Sequence, residues 1–354
     1  MNEAVVSALD EAFPDRTVAK LSGVGPSWNG ANETVGVVFA DGGRAFCKVA
    51  VDGDGTRIAR ERAVLRYLAA ERHFSVPDVL AADPDAAVPY LVTAPAPGRE
   101  LRDVWEGVDD AAREALLRRV GATLATLHAE RFETHGEIVG LESDGEGGEG
   151  ELRLDVEPAP WPDVLRATIE RTREIGTSER LADHYDAVFD CVESNRERLA
   201  GAQAALLHGD VAPPNLFVVD ATDASKAPGT RGQSEASDAE SGQCRSDGIV
   251  PIDWELAHVG DPARDLVRAE DQLLNGFDST GPERFSAALY AGYRERAGGL
   301  PEGFAERRPI YEVVRMLGRS GFIDQWTAYL DEPMESLVER ADAELRARLA
   351  EVSR

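Results

Sequence analysis

Polar residues that could bind a metal or accept a proton interrupt two short apolar segments in the second half of the sequence. The first segment contains Asp210 and Asn215, five positions apart, and the second contains Asp253. Carboxylate and amide oxygens without nearby thiols suit Mg²⁺, which takes few protein ligands beside phosphate oxygens and water. The two segments therefore predict a chemical site at the ends of two strands.

A second candidate pair lies in the first hundred residues. Lys48 is the sole charge in an apolar strand, where alternation puts it on the same face as Phe46. Glu61 has helical spacing from Ile58 and Leu65, so it falls on the buried stripe of the next helix. A buried carboxylate needs a cationic partner, and Lys48 is the obvious one. The alternative is a surface lysine that lies along an edge strand.

Three predicted strands and one helix must position Lys48 and Glu61. The strands cover 18–21, 34–39 and 45–51, and the helix runs from Thr56 to about residue 71. Residues 22–33, rich in Gly, Asn and Ser, join the first two strands. The backbone N–H groups of such a loop can cover a phosphate, although ordinary hairpin loops have the same composition.

The whole chain has 354 residues, a length that suits two lobes. The later part of the chain is predicted to be mainly helical. We place the boundary between residues 97 and 98, after the proline-rich crossing that begins at Ala94. Residues 221–248 are predicted to be a flexible insertion. Without those 28 residues, only 10 positions would separate Asn215 from Asp253, which is the reach of a tight hairpin.

The composition excludes several classes of protein. The net charge of −27, from 65 acidic and 38 basic residues, predicts life in a high-salt cytosol, with a genomic bias towards arginine and acidic residues as the alternative. No basic stripe is present for nucleic acid. The isolated Cys47, Cys191 and Cys244 favour neither disulfides nor zinc. Without a signal peptide or a span of ~20 apolar residues, we expect a cytoplasmic protein that binds no membrane.

Three functions compete for these residues. The sequence contains the parts for phosphoryl transfer: a cation for the non-transferred phosphates, metal holders and a carboxylate for a hydroxyl proton. They are supplied by Lys48 with Glu61, the glycine-rich loop, Asp210, Asn215 and Asp253. A metallohydrolase would leave Lys48 and Glu61 unused, and its residues would be His208, Asp210, Asp253 and His258. The third is a nucleotide-binding regulator without turnover. It is disfavoured because nothing would require it to keep Lys48, Asp210, Asn215 and Asp253 together.

The motifs in this order resemble the aminoglycoside phosphotransferase and choline kinase-like enzymes, relatives of protein kinases. Residues 207–215 (LHGDVAPPN) are similar to the family's HGDxxxxN catalytic loop. Residues 252–255 (IDWE) and 260–266 (GDPARDL) are similar to its metal-binding segment and GDPxxDL tail. Residues 61–68 and 121–128 resemble two of its helices. The likeness covers about residues 18–265.

The resemblance implies an α+β, two-lobed protein kinase-like fold, with a small antiparallel-sheet N-lobe (1–97) and a larger, mainly helical C-lobe (98–354). It implies a kinase that uses ATP and Mg²⁺. Asp210 would be the catalytic base, and Glu61 would hold Lys48 against the α- and β-phosphates. The backbone of Ala94 and Ala96 would contact the adenine edge, and the side chains of Asn215 and Asp253 would bind Mg²⁺. Asp265 would brace the catalytic loop.

The acceptor is expected to be a hydroxyl of a small molecule. Members of the family phosphorylate aminoglycosides, choline, ethanolamine, homoserine, sugars and macrolides, and no motif here selects among them. Four acidic residues favour a pocket for a cationic amine alcohol, although such residues are also expected by chance on so acidic a chain: Glu255, Asp261, Glu270 and Asp271. The sequence predicts neither the oligomeric state nor a preference for ATP over GTP.

Overall fold

The computed structural model describes most of the chain, namely residues 3–26, 31–71, 74–143, 150–219, 248–276, 279–327, 330 and 332–353. The insertion predicted at 221–248 lies outside the described residues, apart from Gly248, and so does the tip of the glycine-rich loop. No described helix has the length and apolar character to cross a membrane.

The first part of the chain forms a five-stranded antiparallel sheet, with one helix before its first strand and another between its third and fourth strands. Its strands, in the spatial order β1-β2-β3-β5-β4, are β1 Val18–Pro26, β2 Asn32–Phe39, β3 Arg44–Ala50, β4 Val79–Asp83 and β5 Tyr90–Thr93. Helix α1 (Glu3–Ala12) packs its apolar residues against the sheet. Helix α2 (Thr56–Ala70) follows β3.

Alternation in β3 determines where Lys48 points. Ala45, Cys47 and Val49 are buried against α1 and the neighbouring strands, so Lys48 is on the opposite face, as predicted. On α2 the buried residues include Glu61 among apolar neighbours, as its spacing indicated. The two charged side chains therefore meet in the interior between sheet and helix.

The rest of the chain is mainly helical. Its helices are α3 Leu101–Glu106, α4 Asp110–Leu127, α5 Trp161–Ile175, α6 His184–Ser194, α7 Arg196–Ala200, α8 Pro262–Leu274, α9 Glu283–Ala297, α10 Phe304–Ser320, α11 Ile323–Trp326 and α12 Met334–Val352. Their apolar faces form the largest core cluster. A second cluster joins α2 to Trp254 and to a hairpin of β7 (Gly136–Ser143) and β8 (Leu152–Pro158), which the sequence did not predict.

Short strands bring the two polar segments together. These strands are β6 Arg99–Glu100, β9 Ala205–Leu207, β10 Leu216–Val218, β11 Ile249–Pro251 and β12 His258–Gly260. Strands β10 and β11 pair antiparallel from Leu216 opposite Pro251 to Val218 opposite Ile249, which confirms the predicted hairpin base. Asp210 and Asn215 thus precede one arm of a hairpin, and Asp253 follows the other. The α+β class, with an antiparallel sheet before a mainly helical region, is the predicted one.

Candidate active site

Asp265 holds the loop that carries Asp210. Its carboxylate accepts hydrogen bonds from the backbone N–H of His208 (2.7 Å) and of Gly209 (3.0 Å), so the predicted brace is present. Gly209 has φ +79°, and a Cβ there would lie 2.3 Å from the carbonyl oxygen of Leu256. Only glycine fits that position, because both the conformation and the close backbone approach exclude a side chain.

Asp210 is fixed by three side chains on two elements. Its Oδ1 accepts from Arg268 (2.7 Å) and Gln272 (2.8 Å) of α8, and its Oδ2 accepts from the Asn215 amide (3.1 Å). Burial alone would raise the pKa of Asp210, but Arg268 and Gln272 outweigh it and lower the pKa. The side chain is therefore an oriented carboxylate, ionised at neutral pH.

Lys48 bonds to Glu61 as predicted, and it also bonds to two further carboxylates. Its Nζ lies 2.6 Å from Glu61 Oε2 and 3.2 Å from Glu255 Oε2, and it also donates to Asp253 Oδ1. Glu255 in turn accepts from Asn32 (2.5 Å). The contact between Lys48 and Asp253 joins the sheet to the second polar segment.

One buried ammonium among three carboxylates shifts the pKa values of the group. Burial opposes the charge of Lys48, but Asp253, Glu61 and Glu255 raise its pKa well above the ordinary value. Burial raises the pKa of Glu61 to about 7 against the opposing effect of Lys48, and it raises that of Asp253 too. The cluster carries more negative charge than Lys48 can balance, which favours binding of a further cation.

Asp253 has a backbone conformation that side chains rarely adopt. Its φ of 67° and ψ of 63° are left-handed, and it is the one non-glycine residue with positive φ among those described. The turn is held by Trp254, which is fully buried and lies 4.4 Å from the His208 ring, centroid to centroid. Its backbone N–H donates to Glu61 (3.3 Å). Local strain of this kind is typical of functional sites.

A cavity of about 550 Å³ connects the polar segments. Asp210, the predicted base, lines this cavity together with the two predicted metal ligands, Asn215 and Asp253. Lys48 is not among its lining residues, but it bonds to Asp253, which is. Ala94 and Ala96 are not among the residues that line it.

Two oxygens at the site suit a metal. The Asn215 amide nitrogen donates to the backbone oxygen and to Oδ2 of Asp210, and no described residue donates to its Oδ1. Asp253 uses Oδ1 for Lys48, and its Oδ2 has no donor among the described residues. Oxygen ligands of this type fit Mg²⁺. Glu61, Asp253 and Glu255 also have carboxylate oxygens within 4.8 Å of one another.

The histidines do not support the hydrolase hypothesis. His208 accepts from the Asp210 N–H (3.1 Å) and donates to the Ile252 oxygen (2.9 Å). His258 bonds to the Leu256 oxygen (2.9 Å) and to Arg264 (2.6 Å). With both ring nitrogens engaged, neither histidine can bind a metal unless a hydrogen bond breaks first.

The loop after β5 presents two different backbone groups. The Ala94 N–H already donates to the Asp78 oxygen (2.9 Å), so only the Ala94 carbonyl remains for a ligand. The Ala96 N–H has no acceptor among the described residues. Together they leave one acceptor and one donor, the pair that an adenine edge requires.

The expected acidic acceptor pocket is wrong, because its carboxylates are paired with arginines. Asp261 bonds to Arg307 (2.6 Å), Glu270 to Arg308 (2.8 Å), and Asp271 to Arg315 (2.6 Å) and Arg319 (2.8 Å). Glu255 is paired with Lys48 and Arg57 (3.2 Å). Only Glu255 of the four lines the cavity.

Arg268 and Gln272 are site residues that sequence reasoning missed. Their spacing of four places them on one face of α8, the helix that begins at the Asp261 N-cap. Residues 260–266 predict the start of this helix, and helical spacing puts Arg268 and Gln272 on a common face of it. That signal could have identified the face, but not its contact with Asp210, which depends on how α8 packs.

Comparison with known proteins places the chain in a family. Residues 25–225 match the family model described as the phosphotransferase enzyme family, so the chain belongs to that family. The matched region includes Lys48, Glu61, Asp210 and Asn215, and ends before Asp253. No curated protein matches the sequence.

Solved structures share the fold along nearly the whole chain. A candidate fructosamine-3-kinase from Thermobifida fusca is 22% identical, with TM-score 0.57, over 98% of this chain and 100% of that one. An aminoglycoside phosphotransferase in complex with GDP and kanamycin is 12% identical, with TM-score 0.59, over 98% of each chain. A macrolide 2'-phosphotransferase from Brachybacterium faecium is 18% identical, with TM-score 0.53, over 96% of this chain and 97% of that one. These likenesses establish the predicted two-lobed, protein kinase-like fold.

Proposed function

We propose that the protein is a kinase that uses Mg²⁺ and ATP to phosphorylate a hydroxyl group of a small molecule. One observation carries the proposal. An oriented carboxylate, Asp210, lines the same cavity as Asn215 and Asp253, and Asp253 is bonded to the lysine that Glu61 holds. A metallohydrolase would have no use for Lys48 in this arrangement.

In the proposed reaction the acceptor hydroxyl attacks the γ-phosphorus of ATP. A new O–P bond forms, the bond from the γ-phosphorus to the bridging oxygen breaks, and ADP leaves with that electron pair. Asp210 first accepts a hydrogen bond that orients the hydroxyl and then takes its proton as the new O–P bond forms. Because Arg268 and Gln272 hold Oδ1, the geometry of the base is set before the acceptor binds.

The remaining roles follow from the available atoms. Asn215 Oδ1 and Asp253 Oδ2 would hold Mg²⁺, which neutralises phosphate charge when bound. Lys48 would contact the α- and β-phosphates with Glu61 as its anchor. The Ala94 carbonyl and the Ala96 N–H would read the adenine edge.

The position of this loop supports a lobe boundary after residue 97. Strand β6, which begins at Arg99, pairs with β10 of the later part of the chain, opposite Val218. The chain therefore enters the structure around Asp210 directly after the loop. The acidic composition supports function in a salty cytoplasm.

A screen of ADP release tests the proposal. Mg²⁺ and ATP are offered with hydroxylated amines, sugars, hydroxy acids and aminoglycosides, in low and in molar KCl. We expect one or more acceptors to raise ADP release, and Asp210→Asn to reduce it about 10²- to 10⁴-fold. If no acceptor raises the release of ADP, and Asp210→Asn leaves basal ATP hydrolysis unchanged, the proposal is wrong.

A further inference from the structure

The cavity next to Asp210 reverses the charge balance of the chain. Acidic residues outnumber basic ones by 65 to 38 in the sequence. The cavity is lined by only four carboxylates, those of Glu137, Asp210, Asp253 and Glu255, against seven arginines, which are Arg57, Arg102, Arg171, Arg264, Arg268, Arg315 and Arg319. Chance placement on so acidic a protein would give the opposite, so the arginines are a feature of this site.

One of these arginines, Arg264, forms no ion pair with the described residues, whereas Arg315 pairs with Asp271. Arg264 is 8% exposed and has no carboxylate within ion-pair distance among the described residues. Its guanidinium bonds to the Nε2 of His258 (2.6 Å), whose pKa is lowered to about 4 by burial and by Arg264, so this partner is neutral.

The nearest carboxylate on the same helix is otherwise engaged. Both oxygens of Asp265 accept backbone N–H groups, from His208 and Gly209. Burial and the neighbouring Arg268 lower the pKa of Arg264 to about 10, which still leaves it charged at neutral pH. The nearby carboxylates of Asp265 and Glu137 offset this only in part, so a bound anion would relieve the remaining cost of burying the guanidinium.

Arg264, Arg268 and Arg315 line both this cavity and a smaller one beside it, termed the branch. The branch has a volume of about 50 Å³, enough for a few non-hydrogen atoms, and Thr168 and Thr172 of α5 also line it. A carboxylate or a phosphate group is of this size. Arginine forks bind either group through paired, charge-assisted hydrogen bonds.

The branch lies on the acceptor side of Asp210. Its lining residues belong to α5, α8 and α10, and none comes from the sheet that carries Lys48. Arg268 links the two regions, because it lines the branch and also donates to Asp210 Oδ1. A group bound there would be close to the proposed base and separate from the lysine that contacts the donor.

We propose that the acceptor carries an anionic group, a carboxylate or a phosphate, which Arg264, Arg268 and Arg315 bind while a hydroxyl of the same molecule faces Asp210. This inference rests on the proposed kinase function and specifies its substrate class. The same arginines repel an amine, so they select against cationic amino alcohols and aminoglycosides.

Two matched series of acceptors test the charge preference. The first is glycerol, glycerate, glycerol phosphate and aminopropanediol, and the second is glucose, gluconate, glucose phosphate and glucosamine. At saturating Mg²⁺ and ATP, we expect an anionic member to exceed the neutral and the amine members in kcat/KM by at least about tenfold. The carboxylate and phosphate members show which anion is preferred. An amine or neutral member that is turned over best would overturn the inference, while leaving the kinase function intact.

Equilibrium binding decides the matter if no member is turned over. With Mg²⁺ and a non-hydrolysable ATP analogue filling the donor site, glycerate and inorganic phosphate are titrated by calorimetry. We expect binding to the wild type, at least about tenfold weaker binding to Arg264→Gln, and recovery of binding in Arg264→Lys. Failure of the ATP analogue to bind would instead refute the proposed function.

Controls separate the site from general charge effects. Arg196→Gln removes the same charge from an arginine of α7 that pairs with Asp163 outside the cavity, and its anion binding is expected to equal that of the wild type. If Arg264→Gln does not fold, Arg315→Gln replaces it, because Arg319 still pairs with Asp271. The inference is refuted if neither anionic probe binds the wild type, or if the cavity variant binds as well as the wild type.

Discussion

Glu61→Gln is predicted to stabilise the protein at alkaline pH while it weakens catalysis. Glu61 shares Lys48 with Asp253 and Glu255, and burial raises its pKa from 4.5 to about 7. The pKa of Glu61 is higher in the folded state than in the unfolded state. The stability that protonated Glu61 contributes is therefore complete below pH 4.5 and is lost as the pH rises through 7. The difference corresponds to about 3 kcal/mol, at ~1.4 kcal/mol for each pH unit. Glutamine cannot ionise and avoids this loss.

Urea unfolding at mildly acidic and at alkaline pH, without Mg²⁺ or nucleotide, measures the effect. We expect the variant to exceed the wild type at alkaline pH by up to about 3 kcal/mol in free energy of unfolding, and the gap to shrink in acid. Its kcat/KM is expected to fall about tenfold or more, because Lys48 loses its charged anchor.

A surface glutamate provides the control for this prediction. Glu295 is exposed and forms an ion pair with Arg118 (2.6 Å), so Glu295→Gln removes the same charge. Its effect is expected to stay within about 0.5 kcal/mol at every pH. If both variants show the same dependence of stability on pH, the crowding of carboxylates around Lys48 does not control stability, and the reasoning fails.

Three further predictions concern the base, the metal and the insertion. Arg268→Gln raises the pKa of Asp210, so the acid limb of the plot of kcat/KM against pH moves to higher pH; an unmoved limb would show that Arg268 does not tune the base. Asp253→Asn is expected to weaken Mn²⁺ binding, measured by electron paramagnetic resonance, at least about tenfold. The variant should keep the fold, because asparagine tolerates a left-handed backbone. Unchanged affinity for Mn²⁺ would exclude Asp253 as a ligand. Deletion of residues 225–247 is expected to leave turnover within about twofold, since β10 and β11 pair with each other without these residues. Loss of activity in a folded deletion variant would show that the insertion has a role.

Local patterns were enough to predict the central contact between sheet and helix. The alternation of β3 placed Lys48, and the helical spacing from Ile58 and Leu65 placed Glu61, so their pairing followed from burial alone. The hairpin that joins the polar segments followed in the same way from the polar composition of the intervening residues.

The sequence alone did not predict which residues of distant helices and strands pair with one another. Glu270 looked like a free acid, because its partner Arg308 lies on another helix and no local spacing relates the two. The hairpin of β7 and β8 was also missed, because an acidic, glycine-rich run separates its two strands in the sequence. Pairing that depends on the packing of α8 and α10 also determines the charge of the acceptor side, which is why the expected acidic pocket was wrong.

The most direct test of the central claim follows the γ-phosphoryl group itself. Phosphorus NMR of a mixture of the enzyme, Mg²⁺, ATP and an acceptor from the screen is expected to show loss of the γ-phosphate signal and growth of a phosphate monoester signal. With Asp210→Asn, the ester is expected to form about 10²- to 10⁴-fold more slowly, while nucleotide binding is unchanged. Growth of free phosphate alone, or ester formation at the wild-type rate in Asp210→Asn, would contradict the assignment of Asp210 as the base of a phosphotransferase.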